Sequence, residues 1–131
     1  MVENIERGRA IRVLLVDDDP ETLDILEEIL EKEGYEVYTA SDGKLAMELF
    51  TEAIDLVVTD VLMPHQDGLE LVLALRECSP ATPVLAISGG GLLYEPHSCL
   101  KMAEKLGVSG VLQKDTLFRD IIGKIREILG T

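Results

Sequence analysis

Five short strand-like runs recur along this chain, each followed by a stretch with helical spacing or helix-starting residues. This alternation favours a parallel sheet covered on both faces, because parallel strands need crossover connections and helices supply them. We therefore predict one α/β domain. Its strands are expected at residues 11–16, 35–40, 55–59, 83–87 and 110–113. The second run alternates apolar and polar residues, which suits a sheet edge, whereas the third is nearly all apolar and therefore central.

Five helices are expected between and after these strands. Asp19 is a typical N-cap residue and Pro20 suits the first helical turn, so a helix should run from there to about Glu33. Ser41 or Asp42 should cap the second helix. The other three helices are expected at about residues 67–78, 97–106 and 116–129.

Composition limits the classes of function. The 131 residues suit a single domain, and the net charge of −13 argues against binding to nucleic acid or to an anionic membrane. A protein partner is the expected target. No apolar stretch has the length of a membrane span and the first ten residues lack a signal-peptide core, so a cytoplasmic location is expected. Residues 1–10 should form a short mobile arm, and 11–131 the domain.

The two cysteines do not indicate a metal site or a disulfide framework. Cys78 and Cys99 fall in separate predicted helices, with no nearby Cys or His at zinc-binding spacing. We expect both to be buried or half-buried free thiols.

Polar side chains stand where four of the strands end. Asp17 and Asp18 follow the first strand, Asp60 follows the third, and Ser88 and Lys114 follow the fourth and fifth. Open α/β sheets build their sites at the carboxyl ends of their strands. Carboxylates, a hydroxyl and an ammonium together suit a divalent metal ion and a phosphoryl group.

With these residues in this order, the chain resembles the receiver domains of two-component response regulators over about residues 11–130. The matches are Asp17-Asp18, Asp60 with Met63-Pro64 and Asp67-Gly68, Ser88, and Lys114. The resemblance implies a flavodoxin-like doubly wound sheet of five parallel strands, in the order 2-1-3-4-5, with five helices.

The resemblance also implies a role for each site residue. Asp60 would accept a phosphoryl group from a phosphohistidine on a histidine kinase or histidine phosphotransfer protein. Asp18, Asp60 and the backbone carbonyl of Leu62 would bind Mg²⁺, with Asp17 acting directly or through water. Ser88 would hydrogen-bond the phosphoryl oxygens and Lys114 would pair with them. These groups would offset the repulsion between a carboxylate and a phosphoryl group. Such a protein catalyses only its own phosphorylation and dephosphorylation.

Two positions depart from the family pattern. The family has proline after the lysine, where this chain has Asp115, so we expect a trans peptide bond and Asp115 as a cap of the last helix. The family's aromatic residue on the fifth strand is Val111 here. Without that ring, we expect the Gly89–Pro96 loop and the helix after it to change most on phosphorylation. A partner should then contact that region, the fifth strand and the last helix.

The chain ends soon after the last predicted helix, so we expect a stand-alone module that signals to a downstream effector protein. One alternative is a receiver-like binding scaffold that is not phosphorylated. Another is an aspartyl-phosphate phosphatase of the haloacid dehalogenase type. That enzyme family needs a second Asp two residues after the nucleophile, where this chain has Leu62.

Overall fold

A computed structural model of the chain describes residues 9–61, 67–88 and 105–131. Five parallel strands form one sheet in the order β2-β1-β3-β4-β5. The strands are β1 (Arg12–Val16), β2 (Glu36–Ala40), β3 (Leu56–Asp60), β4 (Val84–Ser88) and β5 (Gly110–Gln113). The predicted strand order is confirmed, with β2 at an edge and β3 in the centre.

Four α-helices lie in the described ranges. They are α1 (Pro20–Lys32), α2 (Gly43–Leu49), α3 (Asp67–Cys78) and α4 (Leu117–Leu129), and a 3₁₀ turn (Lys114–Thr116) joins β5 to α4. The helix expected at about 97–106 lies almost entirely outside the described residues, as does the Gly89–Pro96 loop. No helix in the described part of the chain is long and apolar enough to cross a bilayer.

Aspartates start the first two helices. Asp19 is the N-cap of α1, where its side chain accepts a hydrogen bond from the Glu21 amide, and Pro20 is the first helical residue. Asp42 caps α2 by accepting from the Leu45 amide at 2.7 Å. Both caps satisfy amides that have no partner within the helix, so the predicted capping role of Asp19 is confirmed.

The sheet separates two apolar cores. On one face, α1 and α4 pack against alternate residues of the strands, with Leu26, Leu30, Ile121 and Ile125 fully or almost fully buried. On the other face, α2 and α3 cover the remaining strand side chains. Burial on both faces explains why the central strands are continuous apolar runs.

Asp115 is not the cap of the last helix. It is the middle residue of the 3₁₀ turn, and α4 begins at Leu117, so Asp115 stands one position too early in the chain to be the N-cap. Thr116 is the N-cap of α4, and it makes no side-chain capping hydrogen bond. The expected trans peptide bond after Lys114 is confirmed, since no described bond is cis.

The expectation of a buried thiol is wrong for Cys78. The buried stripe of α3 consists of Leu71, Val72 and Leu75, and its spacing would continue to Cys78. Cys78 is nevertheless exposed, because it is the last residue of the helix and stands beyond the part that packs on the sheet. Cys99 lies outside the described residues.

Candidate functional site

The predicted site residues meet at one edge of the sheet. Asp17 directly follows β1, Asp60 ends β3, Ser88 ends β4, and Lys114 directly follows β5. The strand register places these ends at similar heights, since Asp60 pairs with Ile87 and Ser88 with Gln113. Parallel pairing therefore brings together side chains that are up to 97 positions apart in sequence.

Three carboxylates form a compact group at this edge. Asp17, Asp18 and Asp60 each offer one oxygen, and these oxygens all lie within 4.8 Å of one another. Asp17 and Asp60 are only 2% and 3% exposed, whereas Asp18 is exposed. Buried like charges at this separation repel each other strongly, so the group favours a bound cation.

Lys114 supplies one cation. Its Nζ lies 3.2 Å from Oδ2 of Asp60 and 3.3 Å from Oδ2 of Asp17. The trans bond to Asp115 thus leaves the ammonium within reach of both carboxylates. The Lys114 side chain is 32% exposed, so it approaches the two buried acids from the solvent side.

The pKa values of Asp17 and Lys114 are both raised, but for different reasons. Burial raises the pKa of Asp17, and the Asp60 carboxylate adds to that effect, although the Asp19 amide and Lys114 partly offset it. Burial alone would lower the pKa of Lys114, but Asp60 and Asp17 outweigh it and raise that pKa overall. The ammonium is therefore firmly charged, while the acid at Asp17 remains incompletely compensated.

A backbone amide that the sequence analysis did not identify holds Asp17 in place. The Asp19 N–H donates to Oδ1 of Asp17 at 2.9 Å. The signal for it was present in the run Asp17-Asp18-Asp19-Pro20, because a helix that begins directly after a strand leaves amides free to face the strand end. Asp17 is thus oriented by the same turn that starts α1.

Three further residues singled out by the sequence are Ser88, Val111 and Leu62. Ser88 is 1% exposed, at the end of the strand next to Asp60. Val111 is half-buried and packs with Val61 and Ala86 in a small cluster on the β4–β5 side of the sheet. Leu62, predicted to offer a backbone carbonyl to the metal, lies outside the described residues.

The donor set fits Mg²⁺. This ion prefers oxygen ligands, usually one or two carboxylates together with waters. Three carboxylates against one ammonium leave an excess of two negative charges, which a divalent cation would balance. The exposed Asp18 also leaves the group open to solvent, as a hydrated ion requires.

Sequence comparison identifies relatives of this chain. Residues 13–126 match the family model described as the response regulator receiver domain. The transcriptional regulatory protein CpxR of Escherichia coli (strain K12) is 37% identical over 118 residues, which are 90% of this chain and 49% of that protein. The alkaline phosphatase synthesis transcriptional regulatory protein PhoP of Bacillus subtilis (strain 168) is 32% identical over 119 residues, 90% of this chain and 48% of that protein. The chain spans about half the length of the curated relatives it matches.

Solved structures agree with the fold. The chemotaxis response regulator CheY4 of Vibrio cholerae superposes with a TM-score of 0.78 at 29% identity, covering 91% of this chain and 98% of that one. A CheY-like receiver domain protein from Methanospirillum hungatei JF-1 gives 0.81 at 29% identity, covering 92% and 94%. Strand order, strand-end residues and these matches lead to one conclusion: the chain belongs to the response regulator receiver domain family, the signalling domains of two-component systems.

Proposed function

We propose that this protein accepts a phosphoryl group on Asp60 from a phosphohistidine of a histidine kinase or phosphotransfer protein. The proposal rests on the surroundings of the Asp60 side chain. Its buried carboxylate lies 3.2 Å from the Lys114 ammonium, within a group of three carboxylates at the end of the central strand. A nucleophile, a fixed cation and a set of metal ligands thus share one small volume.

The transfer is a substitution at phosphorus. A carboxylate oxygen of Asp60 forms the new bond to phosphorus as the phosphorus–nitrogen bond of the phosphohistidine breaks, and the imidazole keeps the electron pair. Asp17, Asp18, Asp60 and the Leu62 carbonyl would hold Mg²⁺, which when bound offsets the repulsion between carboxylate and phosphoryl oxygens. Lys114 places a second positive charge where negative charge develops on those oxygens.

Asp17 and Ser88 complete the assignment. The Asp19 amide fixes Oδ1 of Asp17, and the other oxygen, Oδ2, which lies 3.3 Å from Lys114, would hold a metal-bound water or the metal itself. Ser88 ends the strand adjacent to Asp60 and would donate its hydroxyl proton to a phosphoryl oxygen. Both residues are buried, which lowers the local dielectric and strengthens these interactions.

The response is proposed to pass to another protein. An acyl phosphate carries about −1.5 to −2 charges. The Lys114 ammonium lies 3.2 Å from Asp60, and Lys114 begins the 3₁₀ turn between β5 and α4. Those elements are therefore proposed to take part in the contact with a downstream effector. The relatives CpxR and PhoP are transcriptional regulatory proteins, so they do not support the expectation that nucleic acid is not a partner. That expectation stays a prediction for these 131 residues alone.

Labelling with acetyl phosphate tests the proposal. With Mg²⁺ present, we expect intact-mass spectrometry to show one added phosphoryl group, which is base-labile, as an acyl phosphate is. Asp60→Asn should abolish it while the circular dichroism spectrum stays unchanged, because the nucleophile is lost without a change of shape. Asp24→Asn is the matched control, since it makes the same chemical change on the exposed face of α1.

The alternatives give different results in the same experiment. A wild-type protein that is never labelled by acetyl phosphate or a phosphorylated kinase, yet folds normally, would be a binding scaffold. Equal labelling of the Asp60→Asn variant would place the acceptor elsewhere. Rapid turnover of small phosphate esters would indicate the phosphatase.

A further inference from the structure

Gly68 lies directly against the backbone of Asp60. A Cβ added at Gly68 would stand 2.0 Å from the Asp60 carbonyl oxygen, 2.6 Å from the Cα of Val61 and 2.9 Å from the Asp60 carbonyl carbon. All three distances are far below ordinary van der Waals contact. The first turn of α3 therefore packs on the peptide that follows Asp60, and only a residue without a side chain permits this approach.

The requirement for glycine here is one of space and not of dihedral angle. The described glycines with positive φ are Gly34, Gly107 and Gly130, and Gly68 is not among them. The atoms that a Cβ would meet all belong to the main chain, so no flexible side chain could move aside. An alanine would have to push two backbone segments apart by about 1 Å to reach even a tight contact.

Neither the end of β3 nor the start of α3 can move away freely. On the strand side, the Val61 amide donates to the Ile87 carbonyl at 2.9 Å, which extends the pairing of β3 with β4. On the helix side, Leu71, Val72 and Leu75 are buried in the core against the sheet. The strain of an added methyl group would therefore fall on the Asp60–Val61 peptide between them.

A second contact reaches the same carbonyl oxygen. The Thr59 hydroxyl donates to it at 3.1 Å, and Thr59 is fully buried. Thr59 lies on the same face of the sheet as Val57, which packs in the core formed with α2 and α3. The Asp60 carbonyl is thus held by a hydroxyl from its own strand and by close contact with the start of α3.

We propose that Gly68 is a positioning residue for the phosphoacceptor, and that it fixes the Asp60 carboxylate through the Asp60 carbonyl with help from Thr59. The inference rests on the proposed phosphorylation of Asp60. The carboxylate and the carbonyl share one Cα, so a displaced peptide moves the carboxylate relative to Lys114 and Asp17. These two partners sit after β5 and β1, and would not move with it.

The test compares labelling rates per folded molecule. Wild type, Gly68→Ala and Gly123→Ala are treated with acetyl phosphate over a range of donor and Mg²⁺ concentrations, and the folded fraction is measured by circular dichroism. Gly123 is the matched control, because a Cβ there meets nothing within 4 Å. A displacement of about 1 Å at a reacting group can cost about a hundredfold in rate. We expect that fall in the maximal rate for Gly68→Ala, with a much smaller change in the half-saturating donor concentration, and a wild-type rate for Gly123→Ala.

A purely structural role for Gly68 would give another result. The melting temperature would fall, but each folded molecule would be labelled at the wild-type maximal rate, and this outcome overturns the inference. If Gly68→Ala does not fold even with trimethylamine oxide, the Thr59→Val variant tests the positioning role instead. It keeps the shape and removes the hydroxyl, so a several-fold slower maximal rate supports positioning through the carbonyl and an unchanged rate overturns it.

Failure of the proposed function is distinguishable from failure of this inference. If wild type is not labelled, or is labelled equally after Asp60→Asn, the phosphoacceptor assignment itself is wrong. If wild type is labelled on Asp60 and Gly68→Ala matches it per folded molecule, phosphorylation stands and only the positioning role is lost.

Discussion

The two ends of the sheet both carry charged side chains, but they use them differently. At the amino end, Arg9 pairs with Asp55 at 2.9 Å and Arg12 pairs with Glu36 at 2.7 Å. Asp55 also accepts from the Arg12 amide at 2.8 Å. These two basic and two acidic groups balance, and three of the four side chains are at least one-third exposed.

At the carboxyl end the charges do not balance. Three carboxylates stand against the single ammonium of Lys114, and Asp17 and Asp60 are almost completely buried. Water screens the amino-end pairs, so each contributes little to stability. The carboxyl-end acids lack that screening, and their repulsion lowers stability until a cation arrives. Charge at the amino end is thus paired and screened, whereas charge at the carboxyl end is left unbalanced, as the proposed metal binding and phosphoryl transfer would require.

Removing the ammonium should have the largest effect. Lys114→Met leaves Asp60 without its fixed cation, and loss of one preorganised charge partner at a reacting group typically costs about 10²- to 10³-fold in rate. We expect a fall of that size in acetyl phosphate labelling at saturating Mg²⁺. Lys32→Met is the control, because the Lys32 side chain is 76% exposed on α1 and should leave the rate unchanged. Equal rates for both variants would remove Lys114 from the chemistry.

Adding Mg²⁺ should stabilise the carboxyl end and not the amino end. A ligand that binds only the folded state at a hundred times its Kd adds about 2.7 kcal/mol to the free energy of unfolding. We expect thermal unfolding of wild type to shift upward with Mg²⁺ and to return with chelator. Asp18→Ala should reduce the shift strongly, whereas Asp55→Ala should lower stability without reducing the shift. A full shift in Asp18→Ala would contradict the assigned ligands.

The third test uses pH. Burial raises the pKa of Asp17 above its ordinary value of 3.8, so the folded protein keeps that proton at a pH where the unfolded chain has lost it. Asp17 therefore makes the metal-free protein less stable as pH rises from 3.8 toward the raised pKa. Above that value its contribution stays at the lower level.

Asp17→Asn removes this titration and provides the measurement. The difference in unfolding free energy, wild type minus Asp17→Asn, should decrease by up to about 1.4 kcal/mol per pH unit across that window. Chemical denaturation at a series of pH values without metal gives the difference directly. Asp24→Asn makes the same change of net charge on the exposed face of α1 and serves as the control. A constant difference for Asp17→Asn would refute the prediction.

The smallest effect is expected at the amino end. Arg9→Ala removes an exposed bidentate pair with Asp55, but Asp55 keeps its hydrogen bond from the Arg12 amide. We expect a slight fall in melting temperature that shrinks further in high salt, and an unchanged labelling rate. A marked change in labelling would show that the two ends of the sheet are energetically coupled and do not act independently.

Much of the fold and the site followed from local patterns. Strand ends were visible because each apolar run stops at a polar residue, and parallel pairing then places Asp17, Asp60 and Lys114 at one edge whatever their separation in sequence. The cap at Asp19 was equally local. The roles of individual residues, by contrast, follow from the resemblance to the receiver family.

What the sequence could not indicate depends on contacts between distant segments. The approach of Gly68 to the Asp60 carbonyl requires knowing how α3 lies on the sheet. Arg76 is a similar case: its guanidinium donates to the carbonyls of Pro80, Thr82 and Gly107, which lie in two separate connections. The position of a glycine or an arginine in the sequence does not indicate such a contact, because its partners are main-chain atoms, which every residue has.

The strand order has a consequence for local unfolding. Asp17 and Asp60 extend from β1 and β3, which are each paired on both sides, whereas Lys114 extends from β5, an edge strand of four residues. Edge strands open at lower free energy than central ones. A brief detachment of β5 would withdraw the ammonium and leave the acids in place, so the site would alternate between two electrostatic states without global unfolding. The Ser109 amide donates to the Val84 carbonyl, so the alternation of a parallel strand turns the Val111 amide toward β4 as well. Native-state amide exchange that is faster at Val111 than at Leu14 and Val58, and slower at Val111 once a phosphoryl mimic engages Lys114, would reveal this opening.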